Sequence, residues 1–285
     1  MPIFMDRHNV PGATVEDVRL AHKKDEELQA EHKVSFLTYW FDQKSGCVFC
    51  LVDAPDKESL TKVHGLAHGL IPADIIEVDL TNVEAFLGRN ADPKAEKSPD
   101  GKEFIPIGSA FRCILFTDLQ GSSSMSRAIG DTAAMDLLDS HDKIIRGALA
   151  TYRGREIKHT GDGIMASFKD VADSLKCARA IQRSFHEFNK GSPRMPLYVR
   201  IGINAGEPVE RGTDLFGMTV QLAARTCAHA KAGHIQVTGV IYELSKGAET
   251  SGVSFKKVSK KAYFKGFESS LQLYEVNWQA EAEAR

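Results

Sequence analysis

The sequence predicts an α+β protein made of two mixed domains joined by a polar connection. Three observations carry this. Strand-like and helix-like apolar patterns alternate along both halves of the chain. The apolar runs are only a few residues long, far short of a bilayer span. Residues 88–103 hold eight charged residues of mixed sign and almost nothing apolar, which is linker composition. A length of 285 residues gives each half enough chain to bury its own core. A hydrophobic content of 42% with 26% charged residues belongs to a soluble globular protein. The net charge of −2 offers no basic field for nucleic acid or anionic lipid, so neither nucleic acid nor membrane is expected as a partner. The N-terminus lacks a signal-peptide pattern. Five cysteines, odd in number and scattered, fit a reducing compartment, and the expected location is cytoplasmic.

The first domain is expected over residues 1–79. Pro2 to Asp6 reads as a short strand. Thr14 is placed to cap a helix whose apolar positions are Val15, Val18, Leu20 and Leu28. Val34 to Phe41, rich in β-branched and aromatic residues, predicts a strand, Asp42 to Gly46 a turn, and Cys47 to Val52 a second strand. A helix from Asp56 to about His64 and a strand at Ile75 to Val78 complete a βαββαβ order, which predicts a small ferredoxin-like α+β sandwich.

Half of the ten histidines lie in this domain. His64 and His68 are four apart and would share one helix face, so with His8 they form a candidate metal site. Gly65 and Gly69 weaken a helix there, and the competing reading is a frayed end with exposed imidazoles. Cys47 and Cys50 form one CxxC with no second pair. On a strand their sulfurs point to opposite faces, which predicts buried structural thiols. The opening PIFMDR, the CLVDAP run and the closing IPADII resemble a family of small ferredoxin-like domains with nickel-binding members. That resemblance implies Ni²⁺ or another transition metal as a cofactor of residues 1–79.

Residues 80–109 are the expected linker, 110–276 the second domain and 277–285 a tail. Phe111 to Thr117 reads as a strand, followed by a Ser-rich turn and a long amphipathic stretch to about Tyr152, with Met135, Leu138, Ile145 and Leu149 at helical spacing. Arg155 to Phe168 reads as a hairpin turning at Gly161-Asp162-Gly163. A helix over about Val171 to Asn189 ends at Gly191-Ser192-Pro193. A strand at Leu197 to Ala205, a helix over Thr219 to His229, and strands near Ile235 and Leu271 to Val276 complete a second ferredoxin-like core with additions. Asp162 alone has a plain reading as a turn former. Asp118, at a strand end beside Gly121 and a Ser-rich helix start, adds a second carboxylate. Two such groups can hold divalent metal and a phosphate chain.

The motifs FTDLQGSS, GREIKHTGDGIMASF, VRIGINAGEP, DLFGMTVQLAAR and FKGFESSLQLYEV, in this order over about 165 residues, resemble a class III nucleotidyl cyclase catalytic domain. The resemblance implies conversion of a nucleoside triphosphate to its 3′,5′-cyclic monophosphate and pyrophosphate, with active sites between the subunits of a homodimer. It implies Asp118 and Asp162 as ligands of two Mg²⁺ or Mn²⁺ ions, and Lys158 and Asp214 as the pair that reads the base. Arg225 falls at the position that steadies α-phosphate charge, and Lys265 at one that contacts the leaving phosphates. Lysine donates to N1 of adenine and aspartate accepts from its N6 amine, so this pair predicts ATP over GTP. Backbone N–H groups of Leu119, Gln120, Gly121, Ser122 and Ser123 would face the β- and γ-phosphates. Gln221 departs from the family's asparagine, keeping both hydrogen-bonding functions on a side chain one methylene longer. Asp118 and Asp162 would come from one copy, and Lys158, Asp214, Gln221, Arg225 and Lys265 from the other. Three functions follow as alternatives: an adenylate cyclase with a regulatory N-terminal domain, a silent or weak nucleotide-binding module, and a metal-binding protein that uses the cyclase domain as scaffold.

Overall fold

The computed structural model describes residues 1–43, 45–80, 83, 87, 92, 96–97, 103–104, 111–191, 193–211, 214–246, 252–265, 267 and 270–279. The chain divides into two compact units, Met1–Phe111 and Arg112–Arg285.

In the first unit the order is β1 (Ile3–Asn9), α1 (Val15–Leu28), β2 (Ser35–Asp42), β3 (Cys47–Asp53), α2 (Lys57–Ala67) and β4 (Asp74–Glu77). The antiparallel sheet runs β2-β3-β1-β4, the layout expected of a ferredoxin-like sandwich. Thr14 caps α1 through a capping box with Asp17, and Asp56 caps α2 through the Ser59 N–H. Both caps satisfy amides that the first helical turn leaves without partners. Phe4, Val18, Phe36, Tyr39, Val52, Leu60 and Val63 form the core between sheet and helices. Val83 and Leu87, in the stretch expected as linker, are also buried. Two further short strands, β5 (Glu96–Lys97) and β6 (Glu103–Phe104), pair antiparallel. Most of 80–109 and residues 280–285 of the tail lie outside the described residues.

The second unit is built on a seven-stranded mixed sheet. Its strands are β7 (Arg112–Leu119), β8 (Arg155–His159), β9 (Ile164–Phe168), β10 (Val199–Gly206), β13 (Ile235–Thr238), β14 (Ser254–Lys257) and β15 (Leu273–Asn277), in the order β14-β15-β13-β10-β7-β9-β8. A separate hairpin, β11 (Val209–Arg211) and β12 (Asp214–Phe216), stands beside it. The helices are α3 (Ser122–Ile129), α4 (Asp131–Thr151), α5 (Val171–Lys190), α6 (Met218–His229) and α7 (Gly239–Ser245).

The single amphipathic stretch expected after the Ser-rich turn is two helices. Gly130, at φ 82°, ends α3 and starts α4, a left-handed conformation open to glycine. β9 buries every residue and β10 all but Arg200, as strands covered on both faces do, while β7 leaves Arg112, Phe116 and Asp118 half-buried. Helix α6 lies on β7 and β10, so the strand end at Asp118 and the helix carrying Gln221 and Arg225 belong to one packed layer.

Candidate functional site

Of the two aspartates expected to hold metal, Asp118 lies near the end of β7 and Asp162 in the turn that leads into the neighbouring strand β9. β7 pairs antiparallel with β9, and beyond the last paired residues the Leu119 N–H donates to the Asp162 carbonyl at 2.9 Å. Thr117 ties the same junction, its hydroxyl accepting from the Ile164 N–H at 2.9 Å. Gly163 makes this approach possible, since a Cβ there would stand 2.0 Å from the Thr117 carbonyl oxygen. The turn that carries Asp162 is therefore clamped onto the end of the strand that carries Asp118.

Each carboxylate has a partner within the chain. Ser122 donates to Asp162 Oδ2 at 2.5 Å from the start of α3. Arg200, opposite Asp118 on β10, donates through Nε to Asp118 Oδ2 at 2.6 Å and through Nη1 to the Ala228 carbonyl at 2.8 Å. A guanidinium beside one carboxylate and only a hydroxyl on the other make a half-exposed, anionic oxygen donor set, which fits hard divalent cations. Of the backbone donors expected to face phosphate, two are already engaged. The Leu119 N–H bonds Asp162, and the Gln120 N–H bonds the Tyr198 carbonyl. Gly121 opens α3 in the left-handed region at φ 78°, and the amides of the first helical turn have no carbonyl partner within the helix.

Lys158 and Asp214, expected to read the base, also meet. Lys158 Nζ lies 2.8 Å from Asp214 Oδ2 and 5.3 Å from the Phe216 ring centre. The Lys158 hydrogen bond holds the Asp214 carboxyl below its ordinary pKa. The β11–β12 hairpin supports Asp214, and a cluster of Ile114, Met165, Leu215, Val220 and Ala223, with Phe116 and Ile157 against it, anchors that hairpin to the sheet. One turn apart on α6, Gln221 is exposed and Arg225 half-buried. Arg225 stands 5.7 Å from the Phe267 ring, and Phe264 packs edge-on to His229 of the same helix. Lys265, between those two phenylalanines, is exposed.

Two features escaped the sequence reading. Arg200 lies inside the VRIGINAGEP motif, and its pairing with Asp118 emerges only from the β7–β10 register. The second is a polar brace behind the Asp162 turn. His159 accepts from the Gly161 N–H at 3.2 Å through Nδ1, so its Nε2 carries hydrogen and donates to Asp142 at 3.0 Å. Asp142 also receives Arg146, which holds Glu156 with two bonds of 2.8 and 3.0 Å. His141, fully buried next to Asp142, has its pKa lowered because burial outweighs that carboxylate.

In the first unit, His8, His64 and His68 do come together. The His8 ring centre is 4.6 Å from that of His64 and 6.2 Å from that of His68. The imidazoles are not the exposed, frayed pair of the competing reading. α2 continues to Ala67, His64 is fully buried, and the His68 side chain is 9% exposed. His64 bridges two buried carboxylates, Asp6 Oδ2 at 2.9 Å and Asp25 Oδ1 at 3.0 Å. Burial opposes charge on all three groups, yet their mutual bonds prevail, raising the His64 pKa and lowering those of Asp6 and Asp25. Cys50 is buried beside them, its thiol pushed up by burial and by the two aspartates.

Comparison with known proteins agrees with both halves. Residues 110–277 match the model described as adenylate and guanylate cyclase catalytic domain, and residues 4–78 match that of a nickel responsive protein, SCO4226-like. The chain is 28% identical over 135 residues to a putative adenylate cyclase 3 of Rhizobium meliloti, covering 47% of this chain and 23% of that one. It is 26% identical over 267 residues to a receptor-type adenylate cyclase of Trypanosoma congolense, covering 78% and 34%. The chain thus spans about a third or less of the length of these relatives. A solved adenylate/guanylate cyclase/hydrolase from Silicibacter pomeroyi superposes with a TM-score of 0.50 at 27% identity, covering 58% of this chain and 95% of that one. Among the described residues no helix is long and apolar enough to cross a membrane. With its sheet, its paired aspartates and a family match over more than half of its length, the chain belongs to the adenylate and guanylate cyclase catalytic domain family.

Proposed function

We propose that the protein is an adenylate cyclase, converting ATP to 3′,5′-cyclic AMP and pyrophosphate at sites shared between two copies of the chain. The observation that carries the choice of substrate is the 2.8 Å approach of Lys158 to Asp214. A lysine donor beside an aspartate acceptor matches the N1 and N6 edge of adenine, and guanine presents the reverse pattern.

Asp118 and Asp162 would hold two Mg²⁺ or Mn²⁺ ions. Bound there, the cations would lower the pKa of the ribose 3′-hydroxyl and withdraw charge from the triphosphate. The chain's own residues do the rest by position and charge. Lys158 and Asp214 orient the base, and Gln221 the ribose. Arg225 faces the negative charge that builds on the α-phosphate as the 3′-oxygen attacks in line with departing pyrophosphate. Lys265 neutralises the leaving phosphates, with the amides at the start of α3. Arg200, bonded to Asp118, would offer its fork to a phosphate oxygen as readily as to the carboxylate.

In line with the family resemblance, Asp118 and Asp162 of one copy would meet Lys158, Asp214, Gln221, Arg225 and Lys265 of the other in a head-to-tail symmetric homodimer with two equivalent sites. The first unit would act as the regulatory domain. The test is product formation by the purified full chain with Mn²⁺ and either ATP or GTP. Cyclic AMP formed in preference to cyclic GMP is the expected result. Tight ATP binding with no cyclic product would instead mark a silent nucleotide-binding module.

A further inference from the structure

The hairpin that carries Lys158 and Asp162 is held from two sides. On the side of the site, the Leu119 N–H bonds the Asp162 carbonyl and the Ser122 hydroxyl its carboxylate. On the other, α4 lies against β8, and two of its residues reach the hairpin. Arg146 donates to both oxygens of Glu156 at 2.8 and 3.0 Å, and Asp142 Oδ1 accepts from His159 Nε2 at 3.0 Å.

A bulge in β8 makes this double attachment possible. Glu156 pairs with Ala166, Lys158 with Met165 and His159 with Ile164, so Ile157 is the extra residue. Cross-strand partners share a face, and Ala166 and Ile164 lie two apart on β9. Glu156 and His159 therefore share the face toward α4, although they are three apart in sequence. Lys158 is turned to the opposite face, where it meets Asp214. A regular strand would put Lys158 on the face of Glu156 and turn His159 away from α4.

His159 carries the attachment on to the turn. Its Nδ1 accepts from the N–H of Gly161, which sits in the left-handed region at φ 93°. A backbone amide can only donate, so Nδ1 is bare and Nε2 holds the hydrogen given to Asp142. Asp142 is fixed in turn by Arg146 Nη1 on Oδ2 and by buried His141 Nδ1 on Oδ1, both at 3.0 Å. Burial opposes its charge, but the bonds from the two histidines prevail and hold its carboxyl below the ordinary range. The side chains of Arg146, Glu156 and His159 are 49, 30 and 34% exposed, and ion pairs this wet add little to stability. What the chain Asp142–His159–Gly161 does supply is a fixed direction for the residue that follows.

We propose that Asp142 and His159 are positioning residues for the cyclase reaction, acting through the Gly161 N–H to fix the turn that aims the Asp162 carboxylate. This rests on the reading of Asp162 as a metal ligand. A carboxylate that sets the tautomer of an imidazole is a common support for metal ligands. Here the imidazole grips the backbone beside the ligand instead of binding metal itself.

The test makes two measurements on variants of the full chain. The first is amide hydrogen exchange over residues 160–163 without nucleotide or metal, so that it does not depend on catalysis. His159→Ala and Asp142→Ala should both speed this exchange. The second titrates Mn²⁺ in the presence of 3′-deoxy-ATP, which cannot cyclise, and reads bound Mn²⁺ by electron paramagnetic resonance. Both alanine variants should weaken Mn²⁺ binding by about 10–100-fold, with the thermal unfolding midpoint little changed. Asp142→Asn keeps an oxygen for the His159 Nε2–H and should restore slow exchange and tight binding. His159→Asn keeps an acceptor for Gly161 but is too short to reach Asp142, so its Mn²⁺ binding should stay weak. Should the alanine variants fail to fold, the two asparagine variants carry the test by this difference. Unchanged exchange and Mn²⁺ affinity in the alanine variants, no rescue by Asp142→Asn, or full binding by His159→Asn would overturn the proposal. An unaltered chain that takes up no Mn²⁺ would instead overturn the reading of Asp162 as a metal ligand, a failure separate from the exchange result.

Discussion

The two carboxylate clusters of this molecule are built on opposite principles. Asp118 and Asp162 are half-exposed at strand ends, and their partners, Arg200 and Ser122, are groups a ligand can displace. Asp6 and Asp25 are buried on either side of a buried imidazole, inside the core of the first unit. The first arrangement is open and costs the fold little to disturb. The second is closed, so each member depends on the others for its charge to be tolerated. Function should therefore be separable from stability in the second unit and inseparable from it in the first.

The largest effect expected from this contrast is on activity. Asp162→Asn should lower kcat by on the order of 10³-fold, as loss of several kcal/mol of metal-assisted stabilisation implies, while thermal unfolding of the second unit stays unchanged. Loss of activity with matching loss of stability would break the distinction. Asp25→Ala should do the reverse. Removing one partner from a buried ion pair costs about 3–5 kcal/mol, so urea unfolding of the metal-free first unit should shift to lower denaturant. An unchanged midpoint would show that the buried cluster is not a mutually dependent set.

Arg225→Ala should lower kcat by about 10²-fold or more, with KM for ATP little altered, because the charge it faces develops only during reaction. A change confined to KM would place Arg225 in ground-state binding instead. Asp214→Ala should reduce kcat/KM for ATP by about tenfold through one lost hydrogen bond in a base-reading site, narrowing the preference for ATP over GTP. Equal losses with both nucleotides would remove the pair from base selection.

The smallest effect concerns His141, whose pKa is lowered by burial. The unfolded chain takes up a proton near the ordinary value of 6.5, while the folded chain stays neutral to lower pH. Stability of the second unit should therefore fall as pH drops below that value and level off below the folded pKa. His141→Phe should flatten this part of the profile, and an unchanged slope would assign it to other groups.

Much of the second unit was legible because its chemistry sits in local motifs. The strand ending at Asp118, the turn at Asp162 and the helix bearing Gln221 and Arg225 are each set by a few adjacent residues. What stayed hidden depends on register and close approach. Arg200 reads as an ordinary strand residue until β10 is laid against β7. The β11–β12 hairpin has three residues in each strand, too few to show periodicity. α7 and β14 were missed for the same lack of pattern. In the first unit, elements and their order followed from caps and alternation, and His8, His64 and His68 were legible as a group, but the acidic residues and the thiol beside them were not. Asp25 lies in a helix dense with charge and reads as solvated, and Cys50 meets Asp6 only through strand pairing. The CxxC spacing drew attention to two cysteines, of which the fold brings one to the histidines.

The most direct test of the account is complementation between two inactive chains. Asp118→Ala removes one half of the proposed shared site and Arg225→Ala the other. In a mixed dimer one site carries both defects and the second carries none. Co-expressed at equal amounts, the pair should recover about a quarter of the unaltered activity, from half the dimers each holding one intact site of two. A mixture as inactive as either variant alone would contradict sites shared between copies.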